Sequence, residues 1–168
     1  MQRFVLFILL AIFSYASSGQ NNAVKPCSAP ECFQFDFWLG DWDLTWNDTS
    51  RGTNTIKKIL DGCVVNENFN SPSGNYSGMS WSVYNSRKAV WEQTWVDSQG
   101  GYIVLTGQYS NGQMILSTQP TMNAQGKKIV SRMIFYNIGA DSFDWNWESS
   151  GDNKTWKLNW KIHYQRKK

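Results

Sequence analysis

Histidine and cysteine are scarce in this chain of 168 residues, which has one histidine and three cysteines. A structural zinc site needs four ligands at characteristic spacings, and Cys27, Cys32, Cys63 and His163 do not have such spacings. One histidine also leaves a serine or cysteine nucleophile without a convincing base. No glycine-rich phosphate loop is present. We therefore predict no metal site and no cofactor, and we assign no catalytic residue.

Net charge and long apolar runs are also limited. The formal net charge is +3, too small to indicate a nucleic acid or an anionic membrane as partner. The one long apolar run, residues 4–13, follows Arg3 and precedes small residues at 14–19. It is too short to span a bilayer, so it predicts a signal peptide cleaved after Gly19. We expect a secreted or periplasmic protein with no membrane anchor after cleavage.

A sustained helical period is missing from the rest of the chain. Turn pairs such as Asp61-Gly62 and Asn111-Gly112 instead separate short segments, as in tight hairpins. We predict strands at residues 42–48, 53–60, 63–70, 76–85, 89–97, 101–109, 112–119, 128–136, 142–148 and 155–164. A meander of this kind closes most easily into an up-and-down barrel, which removes exposed edges.

The predicted fold class is therefore all-β, a single antiparallel up-and-down β-barrel of about ten strands. Residues 20–32, with two prolines, are predicted to be an irregular lead-in between the signal peptide and a barrel domain at residues 33–168. The dense aromatic segment 33–39 is expected to form a short helical turn that plugs one end of the barrel.

What the chain has in abundance is tryptophan, with ten residues that fall mostly on alternate positions. A period of two with large aromatics indicates strands with one packed face. Three runs share a face in this way: Trp91, Gln93, Trp95 and Asp97; Phe143, Trp145 and Trp147; and Trp156, Leu158, Trp160, Ile162 and Tyr164. In the first run, Glu92 and Thr94 should point outward. The interior is then either a solid aromatic core or a lined cavity.

Polar residues fall on the same predicted inner faces. Gln93 shares its face with tryptophans, Glu67 with Val65 and Phe69, and Arg132 with Ile134. An internal Arg–carboxylate pair that only satisfies itself is one interpretation. The other is a set of polar anchors in an aromatic pocket, as in many small-molecule sites. The candidate ligand-binding residues are Glu67, Trp91, Gln93, Trp95, Arg132, Trp145 and Trp147.

Export also bears on the cysteines, because an oxidising compartment permits a disulfide. Three thiols allow one bridge and one free cysteine. Either Cys27 or Cys32 could tie the N-terminal segment to the strand that starts at Cys63. The alternative is that all three are reduced and buried.

The motifs FDFWLGDW at residues 35–42 and WxQxWVD at residues 91–97 resemble an uncharacterised family of secreted, mostly bacterial, lipocalin-like proteins. The likeness continues through Asp61-Gly62-Cys63, residues 112–116 and residues 147–156, and so covers nearly the whole chain after the leader. Gly40-x-Trp42 is also similar to the opening of lipocalin and related calycin barrels. The resemblance implies a closed antiparallel barrel with an interior cavity and a Cys27–Cys63 disulfide. It implies no settled activity.

Heme-binding barrels of the nitrobindin type offer one further comparison, because they use a histidine near the C-terminus as the iron ligand. Here His163 shares its face with Lys157, Asn159 and Lys161, which is typical of a solvent-facing surface. A metal-binding histidine should face a cavity, so we do not expect heme to bind through His163.

Three classes of function fit these observations. The first is a protein that binds a small, partly apolar molecule in an aromatic-lined cavity of several hundred Å³. The second is an enzyme acting on such a molecule, for which Glu67 and Asp97 are the best acid–base pair available. The third is a structural or interaction module with a solid barrel. The sequence favours the first.

Overall fold

The computed structural model describes residues 25–168, so the predicted signal peptide at residues 1–19 lies outside the described residues. Eleven strands follow one another along the chain: β1 (Gly40–Trp46), β2 (Ser50–Ile59), β3 (Val64–Ser71), β4 (Tyr76–Asn85), β5 (Val90–Asp97), β6 (Tyr102–Ser110), β7 (Gln113–Thr118), β8 (Thr121–Met122), β9 (Lys128–Tyr136), β10 (Ser142–Ser150) and β11 (Lys157–Arg166). Short 3₁₀ helices span Pro30–Phe33, Asp36–Trp38 and Pro72–Gly74.

Ten of these strands form a closed antiparallel barrel. Each strand from β1 to β7 pairs with the next, β7 pairs with β9, and β10 and β11 continue the sheet. Pairing of β1 with β11 closes it, with Trp42 opposite Arg166 and Leu44 opposite Tyr164. The two-residue strand β8 pairs only with the start of β9. The predicted fold class is confirmed, and each of the ten predicted segments overlaps one barrel strand.

The hairpins use the turn chemistry that the sequence indicates. Asn111 and Gly112 connect β6 to β7 with φ values of 51° and 75°. In the two-residue turn, two successive residues with positive φ give a twist that matches the strands, and Asn, Asp and Gly reach that region at the lowest cost. The longer turn after β2 has three such residues, Leu60, Asp61 and Gly62, with φ values of 50°, 55° and 89°.

The aromatic segment before β1 closes one end of the barrel, as predicted. Phe35 and Trp38 are fully buried there. The Phe35 ring packs edge-on against Trp91 and Phe135, at centroid distances of 4.8 and 5.5 Å. Trp42 Nε1 donates a hydrogen bond of 2.7 Å to the carbonyl oxygen of Trp38. These contacts make the closed end a solid core, since edge-to-face aromatic pairs each add about 0.5–1.5 kcal/mol to burial.

Arg166 fastens this plug to the last strand. Its Nη1 donates to the Leu39 carbonyl at 2.7 Å, its Nε donates to the Ala140 carbonyl at 3.0 Å, and its guanidinium lies over the Trp42 ring at 4.2 Å. Gly40 has a φ of +118°, and a side chain at that position would meet Arg166 Nη1. The motif Gly40-x-Trp42 therefore serves packing at the closed end.

The N-terminal segment is also tied covalently to the barrel. A disulfide joins Cys27 to Cys63, at the turn before β3, and Cys32 is free and buried. The predicted pairing is confirmed. Within residues 25–168, no helix is long and apolar enough to cross a membrane.

A β-bulge alters the predicted face of the last strand. Trp147 pairs with Trp160, but the next residue, Glu148, pairs with Leu158, so that Asn159 has no opposite residue. Leu158 is therefore exposed, whereas Trp160 lines the interior. The prediction that Trp156 and Leu158 share the inner face was wrong, because one extra residue reverses the alternation.

Candidate functional site

A cavity lies inside the barrel next to the aromatic plug, and Trp38 of the plug forms part of its lining. Its volume is about 120 Å³, which is smaller than the several hundred Å³ expected of such a pocket. Large side chains fill the remaining space. The lining consists of Trp38, Glu67, Phe69, Tyr76, Trp95, Ile103, Leu105, Met133, Phe135, Trp145, Trp147, Trp160, Ile162 and Tyr164.

Tryptophan rings dominate the wall formed by β10 and β11. Trp145 and Trp147 lie two positions apart on β10 with ring planes 7° from parallel and centroids 6.4 Å apart. Trp160, from β11, meets Trp145 edge-on at 5.8 Å. Phe69 from β3 packs edge-on against Trp160 at 5.8 Å and against Trp95 at 6.1 Å. Aromatic rings therefore line the cavity on several sides.

The Asp97 carboxylate binds two of the aromatic side chains that line the cavity, Trp95 and Tyr76. Its Oδ2 accepts hydrogen bonds of 3.1 Å from both Trp95 Nε1 and Tyr76 Oη. Its Oδ1 accepts 2.9 Å bonds from the backbone amides of Gln99 and Gly101. Burial favours a higher pKa for Asp97, but the four hydrogen bonds outweigh it and hold the pKa below its usual value. The carboxylate thus fixes the orientation of the Trp95 and Tyr76 side chains.

Inside the barrel, a buried polar network crosses from β4 and β5 to β11. Gln93 Nε2 donates to Ser82 Oγ at 2.9 Å and to Ser80 Oγ at 3.2 Å. Ser80 Oγ donates to Glu67 Oε2 at 2.6 Å. Asn54 Nδ2 donates to Glu67 Oε1 at 2.7 Å and to Tyr164 Oη at 3.2 Å. Only Glu67 and Tyr164 of this network also line the cavity.

The Glu67 carboxyl is the chemically distinctive group of the cavity. Burial raises its pKa to about 7, although the hydrogen bonds from Ser80 and Asn54 favour the charged form. Tyr164, the nearest phenol in the network, has a pKa raised well above its usual value, mainly by burial and also by the Glu67 charge. Glu67 therefore changes charge near neutral pH, while Tyr164 stays neutral.

Three buried polar atoms have no hydrogen-bond partner among residues 25–168. They are Trp38 Nε1, Asn54 Oδ1 and Gln93 Oε1. Trp38 also lines the cavity, and Asn54 binds Glu67 directly. An unpaired buried polar group costs about 1–3 kcal/mol. The interior thus retains hydrogen-bonding capacity that the protein itself does not satisfy.

The predicted inner face of β5 is confirmed. Trp91 and Gln93 are about 1% exposed, and Trp95 lines the cavity. Glu92 points outward and accepts a hydrogen bond from Lys88. Trp91, however, lies beside Phe35 and donates to Gln34, away from the cavity. Gln93 reaches the cavity only through Ser80, so β5 contributes one lining residue of the three predicted.

The structure also brings Glu67, Trp145 and Trp147 to the cavity, but not Arg132. Arg132 faces outward, where its Nε and Nη2 bind Glu148 Oε2 at 2.8 and 2.7 Å and its guanidinium covers the Trp156 ring at 3.7 Å. Its neighbours Met133 and Phe135 line the cavity instead. The prediction of an internal Arg132 was wrong, because β9 carries large apolar side chains on both faces and alternation alone cannot assign them.

Several site residues escaped the sequence analysis. Asn54, Ser80 and Ser82 are ordinary polar residues whose burial depends on their position in the barrel. Glu67 and Asp97, nominated as an acid–base pair, bind separate partners and share no hydrogen bond in the described structure. Conversely, His163 lies on the outer face as predicted and binds Asp144 at 3.0 Å.

The fold and the site thus define a closed antiparallel β-barrel with an aromatic interior cavity and one buried carboxyl group. Residues 38–166 match the family described as "Protein of unknown function (DUF1579)". The match covers most of the chain, so the protein belongs to that family. No curated protein matches the chain.

Proposed function

We propose that this protein is an exported, lipocalin-like β-barrel that binds one small, partly apolar molecule in its aromatic cavity. The observation that carries the proposal is a pocket of about 120 Å³ inside the barrel, with an apolar, aromatic lining and a single buried carboxyl at Glu67. Small-molecule sites commonly combine such a lining with a few polar groups that fix orientation.

The cavity volume limits the part of the ligand that lies inside the barrel to about the size of one ring. A dry apolar cavity of about 150 Å³ is known to accept benzene. A long acyl chain or a retinoid would require several of the indole side chains to move. A compact ligand would contact the Trp95, Trp145 and Trp160 rings without such rearrangement.

The unpaired atoms inside the barrel support a ligand with a polar end. Trp38 lines the cavity, and its Nε1 has no partner among the described residues. Tyr164 Oη accepts a hydrogen bond from Asn54, which leaves its own proton free for another acceptor. A solid structural barrel would be expected to satisfy these groups or replace them with apolar ones.

Export rests on two further observations. The Cys27–Cys63 disulfide fits an oxidising compartment. The apolar run at residues 4–13 and the small residues after it have the pattern of a cleaved leader. We propose that the protein meets its ligand outside the cytoplasm.

Titration with benzyl alcohol, followed by tryptophan emission and by calorimetry, tests the binding function. Saturable binding is expected, and Trp95→Ala should weaken it about tenfold to a hundredfold, because one buried aromatic contact contributes about 1–3 kcal/mol. Trp81→Ala is the matched control, since Trp81 lies on the outer face of β4 and is 37% exposed. Equal effects of the two substitutions, or no saturable signal with varied one-ring probes, would refute binding in this cavity.

A further inference from the structure

The charge balance of the cavity identifies a narrower class of ligand. Among the described residues that line it, Glu67 is the only acid, and there is no lysine, arginine or histidine. Arg132, the cation that the sequence suggested as a partner, binds Glu148 on the outer face. Arg166 is engaged with backbone carbonyls at the closed end. No cation of the described chain therefore neutralises Glu67 in the carboxylate form.

Hydrogen bonds nonetheless prepare Glu67 for that charged form. Ser80 Oγ and Asn54 Nδ2 each donate to one of its oxygens, at 2.6 and 2.7 Å. Donors aimed at both oxygens stabilise a carboxylate. The group is thus held by donors that favour the charge, in a cavity that lacks an opposite charge.

The walls around Glu67 would complement a cation as well. Indole rings from Trp95, Trp145, Trp147 and Trp160 surround the space, and the Tyr76 ring adds another face. The negative face of an aromatic ring attracts ammonium groups, most strongly for tryptophan and in sites removed from water. Asp97, directly behind Trp95 and Tyr76, adds a second carboxylate near this wall.

We infer that the occupant of this cavity is a small organic cation, whose ammonium group is held between Glu67 and the surrounding indole rings. This inference rests on the proposed binding function and names the chemistry of its ligand. A primary ammonium could donate a hydrogen bond to Glu67, and a quaternary one would rely on the rings and the charge alone. The cavity limits the carbon portion to about one ring.

The inference predicts a pH dependence of binding with a definite sign. Because burial gives Glu67 a pKa of about 7, protonation below that pH removes the charge that the cation needs. The other titratable groups facing Glu67 are Tyr164 from β11 and Tyr76 from β4, and both have raised pKa values, so they stay neutral in this range. Cation affinity should rise with pH, approaching tenfold per unit below pH 7 and levelling off above it.

Three probes that share one ring and differ in charge test the inference: benzylammonium, benzyl alcohol and benzoate. With the unmodified protein at pH 8, benzylammonium should bind at least ten times more tightly than benzyl alcohol, and benzoate most weakly. Tetramethylammonium, which has no proton to lose, is the probe for the pH profile. Its affinity should increase between pH 6 and pH 8, and that of benzyl alcohol should not change.

Glu67→Gln separates the charge from the shape of the site. This variant should lose all of the pH dependence, and its loss of affinity should be at least ten times larger for benzylammonium than for benzyl alcohol. Glu148→Gln, on the outer face, removes the same charge and should change neither affinity. Benzyl alcohol or benzoate binding more tightly than benzylammonium would overturn the cation inference and leave the proposed function standing. Failure of all three probes to bind would overturn both.

Discussion

Gly78 lies directly against the indole ring of Trp95, across the β4–β5 pair, so that a methyl group at position 78 would overlap the ring atoms Cζ2 and Cη2. The ring can occupy this place only because position 78 has no side chain. Next to these ring atoms, Trp95 Nε1 donates a hydrogen bond to Asp97, the residue opposite Gly78 on β5. Gly78 and Asp97 together therefore set the position of the Trp95 wall of the cavity.

Replacing Gly78 with alanine should displace the Trp95 ring. The ring would move away from position 78, and its hydrogen bond to Asp97 would lengthen. We expect benzyl alcohol affinity to fall about tenfold, which corresponds to about 1.4 kcal/mol, with a shift of tryptophan emission. Fluorescence titration measures both effects.

Gly151→Ala is the matched control for this substitution. A Cβ at position 151 meets only the Lys128 carbonyl oxygen, at an ordinary contact distance of 3.7 Å. Affinity and emission should therefore remain unchanged in Gly151→Ala. Unchanged binding in Gly78→Ala as well would show that the Trp95 position does not matter to the site.

The same strand shows where sequence reasoning stops. On β4 the large side chains of Met79 and Trp81 are exposed, whereas Ser80 and Ser82 are fully buried. A period of two separates the two faces of a strand, but it does not say which face is inside. On β4 the answer comes from pairing, because Ser80 lies opposite both Glu67 and Trp95. Hydrophobicity alone would have placed Trp81 in the barrel.

Strands and turns could be predicted because they depend on local sequence. Hairpin turns such as Asn111-Gly112 depend on local backbone conformation, which neighbouring residues determine. The cavity is lined by residues from seven strands, and the long-range pairing that brings these strands together cannot be inferred from a local pattern. Trp95 was found because large aromatic residues alternate along its strand, and Glu67 because it is a charged residue on the same face as Val65 and Phe69. Asn54 and Tyr164 were missed as members of the site because no local contrast marks them.

Arg166 gives a prediction for the closed end. Replacing it with alanine removes the hydrogen bonds to the Leu39 and Ala140 carbonyls and the contact with the Trp42 ring. Hydrogen bonds from charged groups contribute about 1.5–3 kcal/mol each, less where solvent reaches them. We expect the free energy of unfolding in urea to fall by about 2–3 kcal/mol, with a changed near-ultraviolet circular dichroism signal from Trp42.

Two further variants control this experiment. Arg166→Lys keeps the charge but loses the planar guanidinium group. Its free energy of unfolding should therefore lie between those of the unmodified protein and Arg166→Ala. Arg51→Ala removes an exposed arginine that also donates to backbone carbonyls. It should lower the free energy of unfolding by less than about 1 kcal/mol. A loss for Arg51→Ala equal to that for Arg166→Ala would contradict the closing role of Arg166.

The disulfide gives a prediction for the N-terminal segment. Cys27 and Cys63 are 36 positions apart, and closing a loop of that length restricts the unfolded chain by about 3–4 kcal/mol in the chain-entropy account. Cys27→Ser should lower the free energy of unfolding by about this amount. Cys32→Ala leaves the disulfide intact, so it should lower the free energy of unfolding by less than Cys27→Ser does. Thiol titration of the denatured, unreduced protein should count one free thiol, and a count of three would rule the bridge out.

The Glu67 carboxyl makes stability depend on pH in a direction that can be derived. Its pKa rises from 4.5 to about 7 on folding, chiefly through burial. The folded protein therefore binds this proton more tightly than the unfolded chain does. The stabilisation is fully present below pH 4.5 and is lost as the pH rises through 7. The free energy of unfolding should fall by about 3 kcal/mol over this window.

Urea unfolding at a series of pH values between 4.5 and 8 measures this dependence. Carboxylates with lowered pKa values, such as Asp152 at about 2, titrate below the window and do not obscure it. Glu67→Gln stays neutral throughout, so this fall in stability should disappear and the variant should be more stable than the unmodified protein at pH 8. Glu31→Gln, at a partly exposed position, should keep the full dependence. A flat profile for the unmodified protein would mean that Glu67 is already ionised at pH 5, as it would be if a cation from solution occupied the cavity during the measurement.

Adding tetramethylammonium should therefore reduce the pH dependence of stability, because a bound cation holds Glu67 in the carboxylate form and stabilises the folded protein most at high pH.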